Sequence, residues 1–328
     1  MNGIQKVIKY CAMAFAAFLT VVILGTIVSV VMGVTTGIAG VNFLLEGDKE
    51  RINLAEEYSV EEVKVLGITN ILVDCNAEIT VKPGDVLAIE AVNVTDEYKI
   101  SQANGKLSIV QKTPQIKIGF WFDSASEKET VTVTVPKEIF MEQVKVKSGS
   151  GKVSLEDFQT DSLAVDSGSG SVAVRDVTTK RMYIDSGSGK VSLTSTNAEN
   201  TELITGSGGI HVEDAKLGVF RLDSGSGSVT MRNIIAEKAK VDSGSGSVLV
   251  EGTLTGTCEF ETGSGSLTMR LDGREEDYLV KAECGSGTFR MNGKKREDGI
   301  YGTNVNGELI IDSGSGSVNV EFNTPVKE

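Results

Sequence analysis

The stretch Lys147-Ser-Gly-Ser-Gly-Lys-Val-Ser-Leu155 is written into this chain again and again. Its four-residue core starts at Ser148, Ser167, Ser186, Thr205, Ser224, Ser243 and Thr262, and in looser form at Cys284 and Ser313. Consecutive starts lie 19 residues apart six times, then 22 and 29. A period held without slippage marks a solenoid, in which each repeat is one supersecondary unit stacked on the last.

With the first residue of each core as position zero, apolar side chains fall four and two places before it, as in Val144/Val146, Leu163/Val165, Met182/Ile184, Phe220/Leu222, Ala239/Val241 and Cys258/Phe260. They fall again five and seven places after it, as in Val153/Leu155, Val172/Val174, Val191/Leu193, Ile210/Val212, Val229/Met231 and Val248/Val250. This alternation has period two and is rich in β-branched residues, so each repeat predicts two short half-buried strands. The Ser-Gly-Ser-Gly between them predicts a corner, with glycine supplying positive φ and a side chain small enough for tight stacking. A second bend is predicted at Asp157-Phe158, Asp176-Val177, Asp214-Ala215 and Asn233-Ile234, because Asp and Asn accept turn geometry. Two strands and two corners in so short a repeat leave no room for a helical crossover. The expected fold is all-β, a single-stranded parallel β-helix, or β-solenoid, with rungs of about 19 residues.

The outward positions test that register. Eight places after zero the residues run Glu156, Arg175, Thr194, Glu213, Arg232, Glu251, Arg270; three places before zero they include Glu202, Arg221, Lys240, Glu259 and Lys281. Stacked in parallel at roughly 4.8 Å, most are vertical neighbours of opposite sign, each pair contributing about 0.2–1 kcal/mol. Nine such rungs make a rod on the order of 40 Å long.

Before the repeats, Lys6 and Lys9 precede an almost unbroken apolar run from Tyr10 to Val34, and no charge appears before Glu46. That run exceeds the ~20 residues that span a bilayer and the ~7–15 of a signal-peptide apolar region. Residues 10–34 are therefore expected to be an uncleaved transmembrane signal-anchor helix, although a cleavage point near Ile38-Ala39-Gly40 is the alternative. The flanking lysines place residues 1–9 in the cytoplasm and the remainder outside a plasma membrane crossed once. Residues 35–62 are read as a juxtamembrane linker with room for a short helix, and 63–140 as an irregular β-rich start to the solenoid. Residues 141–322 form the regular solenoid and 323–328 a polar tail. Within the irregular part, Ile71–Val81 looks like a degenerate first rung, and Asn104-Gly105 joins two strands as a hairpin turn.

The formal charge of −13 argues against nucleic acid as a partner, since phosphate binding needs a basic face. Cys11, Cys75, Cys258 and Cys284 have no CxxC spacing, so neither a zinc site nor a disulfide framework is expected. His211, the only histidine, sits at an outward position. Phe120, Trp121 and Phe122 cannot all face one side of a strand, which makes Trp121 the best single contact candidate. Lys294, Lys295 and Arg296 form the one dense basic cluster after the apolar run, in what reads as a loop, Asn292–Gly302, inserted into a late rung.

One row carries the sharper alternatives. The residue before position zero is Asp166, Asp185, Asp223, Asp242, Glu261, Glu283 or Asp312, interrupted by Lys147 and Ile204. Stacked, these carboxylates would make an acidic stripe that suits either a polysaccharide-acting enzyme, whose two carboxylates stand roughly 5–9.5 Å apart, or a Ca²⁺-binding surface solenoid. The simpler role is an Asp that caps the Ser-Gly turn through its side chain. Every rung offers the same residue, without the differing environments that separate an acid from a base. No residue is therefore assigned as catalytic, metal-binding or cofactor-binding, and no cofactor is expected.

Three features carry a family resemblance: the opening Ile71–Asp85 (ILVDCNAEITVKPGD), Val131–Phe140 (VTVTVPKEIF), and repeated rungs of the form Val-Asp-Ser-Gly-Ser-Gly-Ser-Val-x-Val. Over about residues 60–322 the chain resembles the bacterial "putative adhesin" domain of unknown function, including membrane-anchored LiaG-like proteins. The resemblance implies a β-solenoid exposed on the cell envelope, in proteins often associated with envelope-stress systems, and brings no catalytic residues to transfer. The expectation is a non-enzymatic, membrane-anchored surface protein. It acts by adhesin-like binding of a cell-wall polymer or envelope protein, or in envelope-stress sensing.

Overall fold

The computed structural model describes residues 51–112, 128–303 and 305–323. The expected membrane-spanning segment and Trp121 lie outside the described residues.

The repeats stack as their spacing demands. Leu163 pairs in parallel with Val144 on one side and Met182 on the other, while Val172 pairs with Val153 and Val191. The same register continues through Phe220↔Ala239 and Val229↔Val248. The alternating apolar positions point inward: Val146, Val165, Ile184, Leu222 and Val241 are buried, as are Leu155, Val174, Leu193, Val212 and Val250. All of these belong to one continuous core.

The Ser-Gly-Ser-Gly corners are held by backbone bonds between levels. Gly168 N donates to Ser148 O at 2.9 Å and Ser169 N to Gly149 O at 2.7 Å, and the pattern recurs at Gly187/Ser188, Gly225/Ser226 and Gly244/Ser245. Their glycines differ from expectation in one respect, since none has positive φ. What they supply is the missing Cβ: one added at Gly170 would lie 1.9 Å from Gly151 O, and one at Gly168 would lie 2.5 Å from Gly149 O. Each corner rests directly on the carbonyl of the corner beneath. Positive φ belongs to the second bend, at Asp157, Asp176, Ser195, Asp214 and Asn233, with φ between 49° and 53°.

Position zero is buried, and, except at Thr262, its hydroxyl donates to the carbonyl of the second glycine, three residues on. Ser148, Ser167, Ser186, Thr205, Ser224, Ser243 and Ser313 all do so, at 2.9–3.3 Å. A buried hydroxyl without such a bond would carry a desolvation cost. The corner is thus capped from position zero, not by the Asp before it.

The two ends depart from sequence order. The strands Gly307–Ser313 and Val318–Asn323 lie directly on Gly256–Thr262 and Leu267–Asp272, and the earlier strands Tyr278–Cys284 and Phe289–Met291 stack beyond them. The last level in sequence is therefore the second to last in space. Residues 292–302, expected as a loop, instead contribute the strands Lys294–Arg296 and Gly299–Gly302, antiparallel to Phe289–Met291 and Tyr278–Cys284. At the other end Ile71↔Val144 and Ile79↔Val153 confirm Ile71–Val81 as a rung beneath the first repeat. A further level of Lys106–Gln111 and Thr130–Pro136 lies under it.

The linker expected over 35–62 is corrected in its described part. Ile52–Tyr58 is a strand, antiparallel to Leu87–Val94. Its burial alternates between half-buried and exposed, a pattern that charged residues concealed in the sequence. Val60–Leu66, where period two was expected to begin at Val63, is a helix. Ser59 and Glu62 form a capping box, and Gly67 ends the helix in the left-handed region.

Two outcomes follow. Gly189→Ala, whose Cβ would lie 1.9 Å from Gly170 O, should cost about 3 kcal/mol or more. Gly209→Ala, with no contact closer than 3.5 Å, should stay within ~0.5 kcal/mol of the parent in chemical denaturation. A chain ending at residue 306 should lose the level that Tyr278–Cys284 and Phe289–Met291 form, because its supporting level is gone. Limited proteolysis with mass spectrometry should then find cleavage from about Gly273 onward, and resistance there would contradict this stacking order.

Candidate functional site

Outward side chains form columns set by the same register. In the column eight places after zero, Arg175 meets Glu156 at 4.0 Å, Arg232 meets Glu251 at 3.1 Å, and Arg270 lies between Glu251 and Glu321. In the column three places before zero, Arg221 meets Glu202 at 3.8 Å and Lys240 meets Glu259 at 3.0 Å. The expected step from Glu259 to Lys281 does not occur. The inserted level puts Ile310 beside Glu259, and Lys281 pairs with Glu308 at 2.6 Å. These are exposed pairs, each contributing about 0–1 kcal/mol.

The acidic row reads, level by level, Lys147, Asp166, Asp185, Ile204, Asp223, Asp242, Glu261, Asp312, Glu283. Stacking out of order inserts Asp312 between Glu261 and Glu283, and the five carboxylates from Asp223 on remain uninterrupted. Partial burial, then Asp223 and Glu261, raise the Asp242 carboxyl above its ordinary value, against the pull of Lys240 and Arg221. Lys240 Nζ bonds Glu259 at 3.0 Å and Glu261 at 3.1 Å. Among the described residues no three His, Cys, Asp or Glu side chains converge on a common cation position.

The remaining sequence candidates fall apart in space. His211 lies on an outward face, its Nε2 3.5 Å from Glu213 Oε2. Cys75, Cys258 and Cys284 are free and buried, and burial pushes each thiol up to about 11, which leaves them protonated. In the basic cluster, Arg296 bonds Glu275 at 3.3 Å and stands over the Tyr301 ring at 5.5 Å, while Lys294 and Lys295 are exposed.

A groove lies where the corner column breaks, which sequence reasoning missed. From Val73 to Ile79 the rung beneath the first repeat is one residue shorter than the stretch from Val146 to Val153 with which it pairs. The corner Ser148–Lys152 therefore has one residue more than the turn on which it rests. Ser150 N, which at higher levels would meet a glycine carbonyl, instead donates to Asn76 Oδ1 at 2.6 Å, and Asn76 N donates to Gln111 Oε1 at 3.0 Å. Alongside this corner the groove, of about 610 Å³, also meets Lys128, Lys152 and, on the level above, Ser169 and Ser171. A smaller hollow of about 360 Å³ shares Asn76 and Gln111 and reaches Asp74 and Lys147. Arg51 pairs with Glu129, and Lys128 with Glu78 at 3.7 Å, but Lys152 has no ion-pair partner among the described residues. The signal was present in the sequence as the short stretch Cys75-Asn76-Ala77 where a full corner would stand.

The fold and its faces define a parallel β-solenoid with outward charge ladders and one polar groove at the base of its corner column. The chain belongs to the Toastrack DUF4097 family, whose model matches residues 68–321. Among solved structures it is similar to a protein of Parabacteroides merdae ATCC 43184 described as a "putative adhesin", at 10% identity over 83% of this chain and 97% of that one, TM-score 0.49. It is similar also to a Parabacteroides distasonis ATCC 8503 "putative lipid binding protein", at 17% identity over 82% and 96%, TM-score 0.47. A Bacteroides fragilis NCTC 9343 "putative adhesin" is 11% identical over 84% and 100%, TM-score 0.41. No curated protein matches the chain.

A carboxyl whose folded pKa is raised contributes stability when protonated and loses it as pH rises through the folded value. Asp242→Asn should therefore raise Tm at pH 7 by about 1–2 °C. The gain should shrink as pH falls toward 4 and as salt screens Asp223 and Glu261, both readable by thermal melts.

Proposed function

We propose that the protein is a non-enzymatic surface rod, anchored through residues 10–34 in the plasma membrane with its solenoid outside the cell, that acts by binding other envelope or surface material. Repetition of the outward groups carries this reading. From level to level the same hydroxyls, carboxylates and ion pairs recur in the same surroundings. Repeated equivalent groups suit contact with an extended partner through many weak points. Acid–base catalysis needs two groups whose environments push their pKa values apart, and the row of carboxylates supplies like groups on like neighbours.

The anchoring rests on the length of the apolar run and the charges on either side of it. Envelope-stress sensing fits the same placement, with binding as its input. A membrane-impermeant amine label applied to intact cells should modify Lys294 and Lys295 and spare Lys6 and Lys9. Purified protein should be retained on isolated cell envelopes. Labelling of the N-terminal lysines alone would overturn the topology, and absence of retention would overturn the binding role.

A further inference from the structure

We infer that the groove beside the first corner is a binding site for a carbohydrate chain; this rests on the surface-binding reading and gives it a ligand class. The groove is built by a mismatch. One residue missing between Val73 and Ile79 puts the Asn76 side chain, in place of a corner carbonyl, under Ser150 N, while Gly151 still rests on Ala77 O. Asn76 is fixed at both ends, its N–H on Gln111 Oε1 and its Oδ1 under Ser150 N.

Its chemistry selects the ligand. At about 610 Å³ the groove is within the range of ligand sites, ~300–1,000 Å³. Such sites are mostly apolar, whereas every side chain lining this one is polar or charged. An apolar ligand would gain nothing by entering. A polyhydroxyl chain meets the Gln111 and Asn76 amides, held in place by bonds from Asn76 N and Ser150 N, and the exposed Ser169 and Ser171 hydroxyls. Lys152, without an ion-pair partner among the described residues, is available to a sugar carboxylate or phosphate. The second hollow, joined through Asn76 and Gln111, makes the site longer than one sugar, which suits a chain more than a free monosaccharide. At higher levels a glycine carbonyl takes the place of the Asn76 side chain, so this arrangement occurs once among the described residues.

The test uses the full chain and three probes: chitotetraose, soluble peptidoglycan glycan strands, and hyaluronan fragments. Titration calorimetry gives the dissociation constants, and thermal melts confirm folding of each variant. Ser169→Trp, at an exposed corner position, should weaken binding at least ~10-fold, about 1.4 kcal/mol, with Ser171→Tyr as a second blocking variant. Lys152→Glu should weaken the two acidic probes more than chitotetraose. Ser226→Trp, at the equivalent place three levels up, should leave binding unchanged. Preference for peptidoglycan strands would assign a cell-wall source, and preference for hyaluronan a host source. Binding that survives both blocking variants, or that Ser226→Trp weakens equally, would overturn the groove. If wild type binds none of the probes yet is retained on isolated envelopes, this inference falls while the surface-binding reading stands. If retention also fails, both fall.

Discussion

The structure depends on one close approach, the carbonyl oxygen of each corner glycine lying where the Cβ of the glycine above would otherwise be. At Gly170, Gly189, Gly227, Gly246 and Gly265 the clearance is 1.9 Å in every case. Such uniformity fixes the register of the whole stack. A level displaced by one residue would put a serine side chain into that contact and turn the buried face of both strands outward. From this follow the buried hydroxyl at position zero, the left-handed second bend and the vertical alignment of Arg270 between Glu251 and Glu321. The charge ladders are consequences of the register and contribute little to its stability.

A stack of equivalent levels has no intrinsic end, and an exposed strand edge is a template for another chain. Both ends are closed by breaking sequence order. At one end, Ile71–Val81 is held between the first repeat and the level of Lys106–Gln111 and Thr130–Pro136. At the other, the C-terminal level is held between Thr262's level and that of Cys284. The last strands there are short and antiparallel, and one of them is Lys294-Lys295-Arg296. Lysines on an outer strand oppose edge-to-edge pairing. The basic cluster therefore has a structural role in closing the rod, independent of any partner.

Periodicity made the repeated region legible almost residue by residue. Spacing placed Leu163 over Val144, and composition placed the second bend at Asp157 and Asp176. Two things were hidden for a physical reason. Equivalent levels present nearly identical faces, so spacing says that Leu309 and Val280 belong to rungs but not which rests on Cys258. Composition likewise shows that glycine is required at a corner without showing whether φ or clearance requires it; the clearance decides it. The strand Ile52–Tyr58 and the helix after it were obscured because charged residues filled their exposed faces. The capping box of Ser59 and Glu62 was readable but outweighed by the linker composition. The family resemblance holds over 68–321.

Regularity also constrains where specificity can reside. Where adjacent levels carry like groups, as from Asp223 to Glu283, no one level stands out from its neighbours. Asp242 illustrates this: its carboxyl is raised by partial burial and by the carboxylates above and below it, without a distinct partner that would give it a different role. A unique contact requires a place where the translation fails. The described residues contain such breaks at the short corner of Cys75–Ala77 and at the hairpin beyond Phe289. The hairpin pairs antiparallel with Phe289–Met291 and closes an edge, whereas the short corner lies beside a polar hollow. The two ends are therefore where this rod presents groups that its repeats do not.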